Sequence, residues 1–377
     1  MQTHTVTITG YSSNGDGVAR LNDGRVVFIR SAARGDVLEI KLTDVKTKVA
    51  QGEIVSIITL SPYRTEPDCP VYPECGGCDF RHITYEEELQ AKLNRVNDAL
   101  ERIGGLTIRA REILSTGQTD GYRNKVVLHS DGVSSGFFKA KSHKVVPVDH
   151  CLLLKDDLNA AIRSEMGSNA PGRAAWSGEK TFRSGRNGMS PPLEEELDGL
   201  IFRVSGFFQV NTGAALLLYN KAREYAAMKR DETLVDLYCG VGSLTLFVGR
   251  DARCALGVEL NSSSIEAAKE NAERNGLSHI SFICADAARY DTSHCVAAHL
   301  RPDCLIIDPP RSGLSPGVVS KILGLSPKRI VYISCDPATL ARDIKLLTGY
   351  AATEICAVDM FPRTANVECC CLLTRKG

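Results

Sequence analysis

The sequence predicts an α/β protein in three parts: a small N-terminal β-barrel, a central mainly-β or α+β domain, and a C-terminal doubly wound, Rossmann-like sheet. Three observations carry this reading. Residues 1–60 alternate apolar and polar side chains between glycine turns. Residues 61–204 hold clustered cysteines, one helical run and several short strands. From Ser205 onward strands and helices alternate, as in a parallel sheet covered on both faces. The 377 residues are enough for three cores, and 43% hydrophobic with 24% charged residues is an ordinary globular balance. Formal charge is zero, so composition gives no support for a nucleic-acid partner, although a local basic surface is compatible with one.

In the first part, Val6 and Ile8, Val26–Phe28, Val37–Leu42 and Val49–Ile57 read as strands, punctuated at Gly10, Gly15-Asp16-Gly17, Asp23-Gly24 and Gly35-Asp36. The expectation is a small closed barrel, serving either as a structural or oligomerisation module or as an oligonucleotide-binding barrel. The opening MQTHTVTITG has no long apolar core. No signal peptide or membrane span is therefore expected, and the default location is cytoplasmic. In that compartment fourteen cysteines read as thiols, metal ligands or catalytic groups rather than disulfides.

The central part opens with Cys69, Cys75 and Cys78 in a C-x5-C-x2-C cluster whose prolines and glycines bend the backbone enough for three sulfurs to converge. Cys151 is a candidate fourth ligand. Such thiolates suit zinc or an iron–sulfur cluster, and spacing does not choose between them. Residues 84–103 predict a helix, with Thr84 and Glu87 at capping-box spacing, Leu89, Leu93, Val96 and Leu100 along one face, and Gly104-Gly105 as the stop. Arg123 and Lys125 begin a later strand; Lys139, Lys141 and Lys144, then Lys180, Arg183 and Arg186, form further basic groups. Each is either a solvated face or, if a nucleic acid binds, a set of phosphate contacts.

In the third part, a strand ending at Leu237 runs into Tyr238-Cys239-Gly240-Val241-Gly242-Ser243, a glycine turn that lets backbone approach a cofactor. Thr245 stands where a dinucleotide fingerprint has its third glycine, which counts against NAD. The second strand ends in Glu259, placed for ribose hydroxyls, and the third delivers Asp286, either an adenine contact or a local cap. The fourth ends in Asp308-Pro309-Pro310-Arg311, where Asp308 faces a ligand or caps its turn. The fifth, Ile330–Ile333, leads through Ser334 to Cys335 at the start of a helix opened by Asp336-Pro337. Cys335 is either a packed small residue or a reactive thiol, its pKa lowered by the positive helix end. Glu368 follows a loop containing Arg363 and Asn366, and Cys369-Cys370-Cys371 read as strand packing.

Taken in order, Phe207-Phe208-Gln209-Val210-Asn211, Asp236–Gly242, Asp308–Arg311, Ser334–Asp343 and Val367-Glu368 resemble the bacterial uracil-C5 RNA methyltransferases that use S-adenosylmethionine. The resemblance spans nearly the whole chain. It implies a class I methyltransferase domain at 205–377, a TRAM domain at 1–60, and a 4Fe-4S cluster on Cys69, Cys75, Cys78 and Cys151 within a 61–204 central domain. It makes Cys335 the nucleophile on C6 and Glu368 the base for the C5 proton. Gln209, Tyr238, Glu259 and Asp308 belong by the same resemblance to the cofactor or target-base pocket, with Gly240, Gly242, Ser243 and Asp286 beside them. RNA is the implied partner, 23S rRNA before transfer RNA, with Arg123 and Lys125 as contacts and a monomer as the working form. This chain departs from the family at Ser243, where Asn is common, and at Arg363 and Asn366, where histidines are usual. Two rivals remain: an amine methyltransferase, suggested by the Asp-Pro-Pro turn, and an RNA-binding iron–sulfur protein with a degenerate methyltransferase domain.

Overall fold

The structure, a computed structural model, describes residues 3–165, 176–290 and 301–377. Its first body is a six-stranded sheet of β1 (Thr3–Thr7), β2 (Gly10–Tyr11), β3 (Gly17–Arg20), β4 (Val26–Ile29), β5 (Val37–Val45) and β6 (Val49–Thr59). Strand order is β1-β5-β6-β4-β3-β2, antiparallel except for β4 with β6. β1 and β2 occupy opposite ends of that order yet are joined only through Ile8 and Thr9, so the sheet has to curl. Ile8 donates its amide to Asp36 O and Thr9 to Val18 O, drawing the two edges together at one end. The outcome is a curled half-barrel around Val6, Ile8, Val27, Ile29, Leu38 and Ile40, rather than the closed barrel expected. Alternation specified the inward face correctly, but closure depends on edge pairing that alternation does not encode.

α1 (Tyr85–Arg102) begins where Thr84 Oγ1 accepts from the Glu87 amide at 3.3 Å, and it ends before Gly105, which takes φ +60°. β7 (Ile113–Leu114) follows. A four-stranded antiparallel sheet, ordered β10-β9-β8-β11, then comprises β8 (Lys125–Asp131), β9 (Ser135–Phe138), β10 (Val145–Pro147) and β11 (Ser177–Arg183). α2 (Asp156–Glu165) covers it, burying Leu158 and Ile162 against Val126 and Leu128. A hairpin of β12 (Glu194–Leu197) and β13 (Leu200–Arg203) precedes α3 (Thr212–Ala226).

The largest body contains β14 (Thr233–Leu237), α4 (Ser243–Gly249), β15 (Cys254–Glu259), α5 (Ser262–Arg274), β16 (Ile280–Cys284), β17 (Cys304–Ile307), α6 (Pro316–Leu325), β18 (Arg329–Ser334), α7 (Pro337–Leu346), β19 (Tyr350–Val358) and β20 (Glu368–Arg375). With β7 these strands form one sheet in the order β16-β15-β14-β17-β18-β20-β19-β7. The first five are parallel, and β20 runs antiparallel between β18 and β19. Leu305–Ile307, Ile330–Ile333 and Cys369–Cys371 are buried throughout, as central strands packed on both faces must be. Cys369–Cys371 are therefore strand packing, as read from the sequence. One face packs Ile306, Val331 and Ile333 against α3 and the β12–β13 hairpin. The other packs Leu305, Ile307, Ile330 and Tyr332 with Val96 and Leu100 of α1. Residues 85–114 thus lie on the C-terminal sheet although they precede the four-stranded one. Among the described residues no helix is long and apolar enough to cross a membrane.

Candidate active site

Strand register brings the site together. Leu237 of β14 pairs with Ile307 of β17 and Val258 of β15, so Tyr238, Asp308 and Glu259 leave the sheet at one edge. Ile307 pairs with Tyr332, which puts the end of β18 and Cys335 at that same edge. Ser334 pairs antiparallel with Cys369, so Cys335, one residue later, stands beside Glu368, one residue earlier. The edge lies at the carboxyl ends of the parallel strands, across the β14/β17 switch in strand order where open α/β sheets bind ligands.

Cys335 is partly exposed and Glu368 is buried. Burial pushes the Cys335 thiol above its usual pKa; the Glu368 and Asp308 carboxyls add to this and Arg311, against the sulfur, opposes it. This corrects the expectation of a thiol acidified by its helix. The positive end of α7 is already satisfied, because Asp336 Oδ1 accepts from the Ala338 and Thr339 amides at 2.8 and 2.9 Å. Burial also raises Glu368 to about 8, with Asp308 raising it further and Arg311 lowering it, and raises Asp308 to about 7. These carboxyls hold protons near neutrality that they would lose in an unfolded chain.

The glycine turn has the expected form. Tyr238, Gly240 and Gly242 take φ of +72°, +53° and +79°, and Ser243 starts α4 with its hydroxyl 2.8 Å from Tyr219 OH. A Cβ on Gly257 of β15 would sit 2.5 Å from the Phe282 ring and 2.8 Å from Cys239 Sγ, so the turn packs against bare backbone. Glu259 reaches into it: its carboxylate accepts from the Gly240 amide at 3.3 Å and the Asn261 amide at 2.9 Å. Asp286 is exposed and caps the Ala288 amide at 2.8 Å. Gln209 is buried before α3, its carbonyl held by Asn124 Nδ2 at 3.2 Å and by Arg183 at 3.0 Å. Arg183, grouped above with surface cations, is instead buried, its Nη2 donating to the Phe208 and Gln209 carbonyls at 2.9 and 3.0 Å.

Sequence reasoning missed two buried features. Asp236 accepts from Thr245 Oγ1 at 2.6 Å while its other oxygen has no partner, and burial raises it to about 8. Lys92 is fully buried and donates to Glu88 at 2.7 Å, Asp359 at 2.6 Å and the Phe361 carbonyl at 3.1 Å. A lysine at the (i, i+4) position from Glu88 and within the apolar face of α1 was the available signal.

Away from the sheet edge, Cys69, Cys75, Cys78 and Cys151 line one cavity of about 300 Å³, all as free thiols. Among the described residues no three His, Cys, Asp or Glu side chains converge tightly enough for a single metal ion. Arg123 lines the same cavity, and its Nε donates to the Lys125 carbonyl at 3.0 Å; both residues are partly buried. Lys139 pairs with Glu74 at 3.2 Å, Lys141 with Asp16 at 3.3 Å, Lys180 with Glu165, and Arg186 with Glu196 at 3.1 Å.

Residues 201–376 match the family model described as tRNA (Uracil-5-)-methyltransferase, and residues 1–55 match the TRAM domain. An uncharacterized RNA methyltransferase of Gloeobacter violaceus is 33% identical, with 99% of this chain and 97% of that protein covered. One from Clostridium tetani is 30% identical over 100% of this chain and 97% of its own length. The crystal structure of Pyrococcus abyssi tRNA (uracil-54, C5)-methyltransferase in complex with S-adenosyl-L-homocysteine has the same fold, with a TM-score of 0.73 at 24% identity, covering 98% of this chain and 99% of that one. Full-length relatives, two matched domains and a sheet edge furnished with cysteine, glutamate and glycine turn agree: this chain is an enzyme of the RNA (uracil-5-)-methyltransferase family.

Proposed function

We propose that this protein transfers a methyl group from S-adenosylmethionine to C5 of a specific uridine in RNA, with 23S rRNA as the first reading of the substrate, through a covalent bond between Cys335 and C6. The observation that carries the reading is the register of β18 and β20, which sets Cys335 beside Glu368. S-adenosylmethionine supplies an electrophilic methyl group when bound, and Tyr238, Gly240, Gly242, Ser243, Glu259, Asp286, Asp308 and Gln209 are the residues we assign to its pocket. The bare-backbone turn and the Glu259 carboxylate beside it suit a nucleoside with ribose hydroxyls.

Uracil C5 is a poor nucleophile. The Cys335 thiolate adds to C6, the ring becomes an enolate, and C5 accepts the methyl group. Glu368 then takes the C5 proton, the S–C6 bond breaks, the C5=C6 bond re-forms and Cys335 leaves as thiolate. One proton is released per methyl gained. Arg311 favours the charged forms of both Cys335 and Glu368, which burial opposes. The target base has to leave its stack to reach this edge, which a single-stranded loop permits at lowest cost.

The four thiols of the central cavity would hold a 4Fe-4S cluster. Four thiols on one cavity wall are a donor set that suits such a cluster, and the same set suits zinc. Anaerobic purification should yield iron and sulfide, and zinc alone would refute the assignment. Transfer RNA is the second reading, favoured by the description of the matched family. Mass-spectrometric mapping of 5-methyluridine in RNA from cells with and without this protein tests the substrate. Loss of one site in 23S rRNA is expected; loss confined to transfer RNA selects the second reading, and no loss rejects both.

A further inference from the structure

The turn between β19 and β20 delivers Glu368, and it is held on two sides by groups far away in sequence. From α1, Lys92 donates to the Phe361 carbonyl, Glu88 Oε1 accepts the Arg363 amide at 2.7 Å, and Arg95 donates to the Ala365 carbonyl at 2.7 Å. From the segment that carries three of the four clustered cysteines, the Asp79 and Phe80 amides donate to the Arg363 carbonyl at 2.9 and 3.1 Å. Asp79 Oδ2 accepts the Ala365 amide at 2.9 Å, and Tyr122 OH donates to the Pro362 carbonyl at 2.9 Å. Arg363 itself is strained, with φ +68° in the left-handed region. A non-glycine residue persists there only where its surroundings over-determine it, and here both its amide and its carbonyl are engaged.

We infer that Asp79, the residue after Cys78, is a positioning residue for Glu368: the cysteine-bearing segment braces the Pro362–Ala365 turn and thereby fixes the base opposite Cys335. The bonds run without a gap from Cys78 through Asp79 to Ala365, three residues before Glu368. The two regions are then one mechanical unit, in which disturbing the cysteine segment impairs proton removal rather than methyl transfer. This inference rests on the assignment of Glu368 as base.

The test uses the full-length protein, S-adenosylmethionine and a uridine-containing RNA substrate, with covalent protein–RNA complex read on denaturing gels beside 5-methyluridine formation. Glu368→Gln is the control for the base assignment, and it should accumulate covalent complex. Asp79→Ala should also accumulate several-fold more complex than wild type, with kcat lowered and RNA KM unchanged. Asp79→Asn keeps an oxygen that can accept the Ala365 amide, so it should return both readouts close to wild type. Tyr122→Phe, which removes one bond from the same turn, should move in the Asp79→Ala direction by less, and it decides the matter if Asp79→Ala does not fold. Complex at the wild-type level in Asp79→Ala, while Glu368→Gln accumulates it, overturns the inference and leaves the base assignment standing. Absence of complex in Glu368→Gln overturns the base assignment and the inference with it.

Discussion

The sheet edge at Cys335 and the turn that delivers Glu368 to it are built by different means. Cys335, Asp308, Tyr238 and Glu259 are positioned by parallel strand register, with every strand end fixed by its neighbour. The turn at 359–367 has no ladder of its own. It is fixed by scattered contacts from distant segments: the buried Lys92, the Glu88 and Asp79 carboxylates, Arg95, the Tyr122 hydroxyl, the Asp79 and Phe80 amides, and Asn211, whose Nδ2 donates to Met360 O at 3.1 Å. A ladder spreads its stability over many bonds, so the edge should tolerate single losses that the turn does not.

The largest effect is therefore expected at Lys92. Lys92→Met keeps the apolar stem but leaves Glu88 and Asp359 buried without their cation, at a cost of about 3–5 kcal/mol. Thermal unfolding should show a clear loss, and a midpoint equal to wild type would mean that the ion pair does not hold the turn. A smaller effect is expected at the sheet edge. Gly257→Ala drives a methyl into Phe282 and should cost about 1–3 kcal/mol, with weaker S-adenosylmethionine binding by calorimetry as the turn shifts. Unchanged affinity would separate that packing from the cofactor pocket.

Charge separates the regions more finely still. Glu368 must be ionised to accept a proton, and burial holds it near 8; the raised Cys335 thiol must ionise too. Both requirements have the same sign, so turnover should rise by up to about tenfold per pH unit for each group still protonated, most steeply below 8, and keep rising above 8 until Cys335 has ionised. The same raised carboxyls make the native chain bind more protons than the unfolded chain from about pH 4 to pH 8. Their contribution to stability is complete at the acid end and is lost as pH rises through that window. A turnover profile already flat from pH 6 to 8 would remove Glu368 as a base titrating near 8.

This contrast explains what could be read in the sequence. The edge residues were legible because each ends a strand and opens a turn, so local pattern marks Glu259, Asp308 and Cys335 without tertiary knowledge. The bracing of the turn was not, because Lys92 meets Asp359, and Asp79 meets Ala365, across most of the chain. The raised pKa of Cys335 is not legible in the sequence, because burial, its largest cause, comes from tertiary packing, while Asp336 occupies the helix end that would otherwise favour the thiolate. Arg183 shows the same blindness for burial, since a cation in a strand looks identical whether it faces water or holds the Gln209 carbonyl.

The central claim is that Cys335 forms the bond that makes uracil C5 nucleophilic. Cys335→Ala is the direct test, with 5-methyluridine measured by mass spectrometry in substrate RNA and S-adenosylmethionine binding followed by calorimetry. The account predicts no 5-methyluridine with cofactor binding retained. Methylation at C5 by the alanine variant would contradict it.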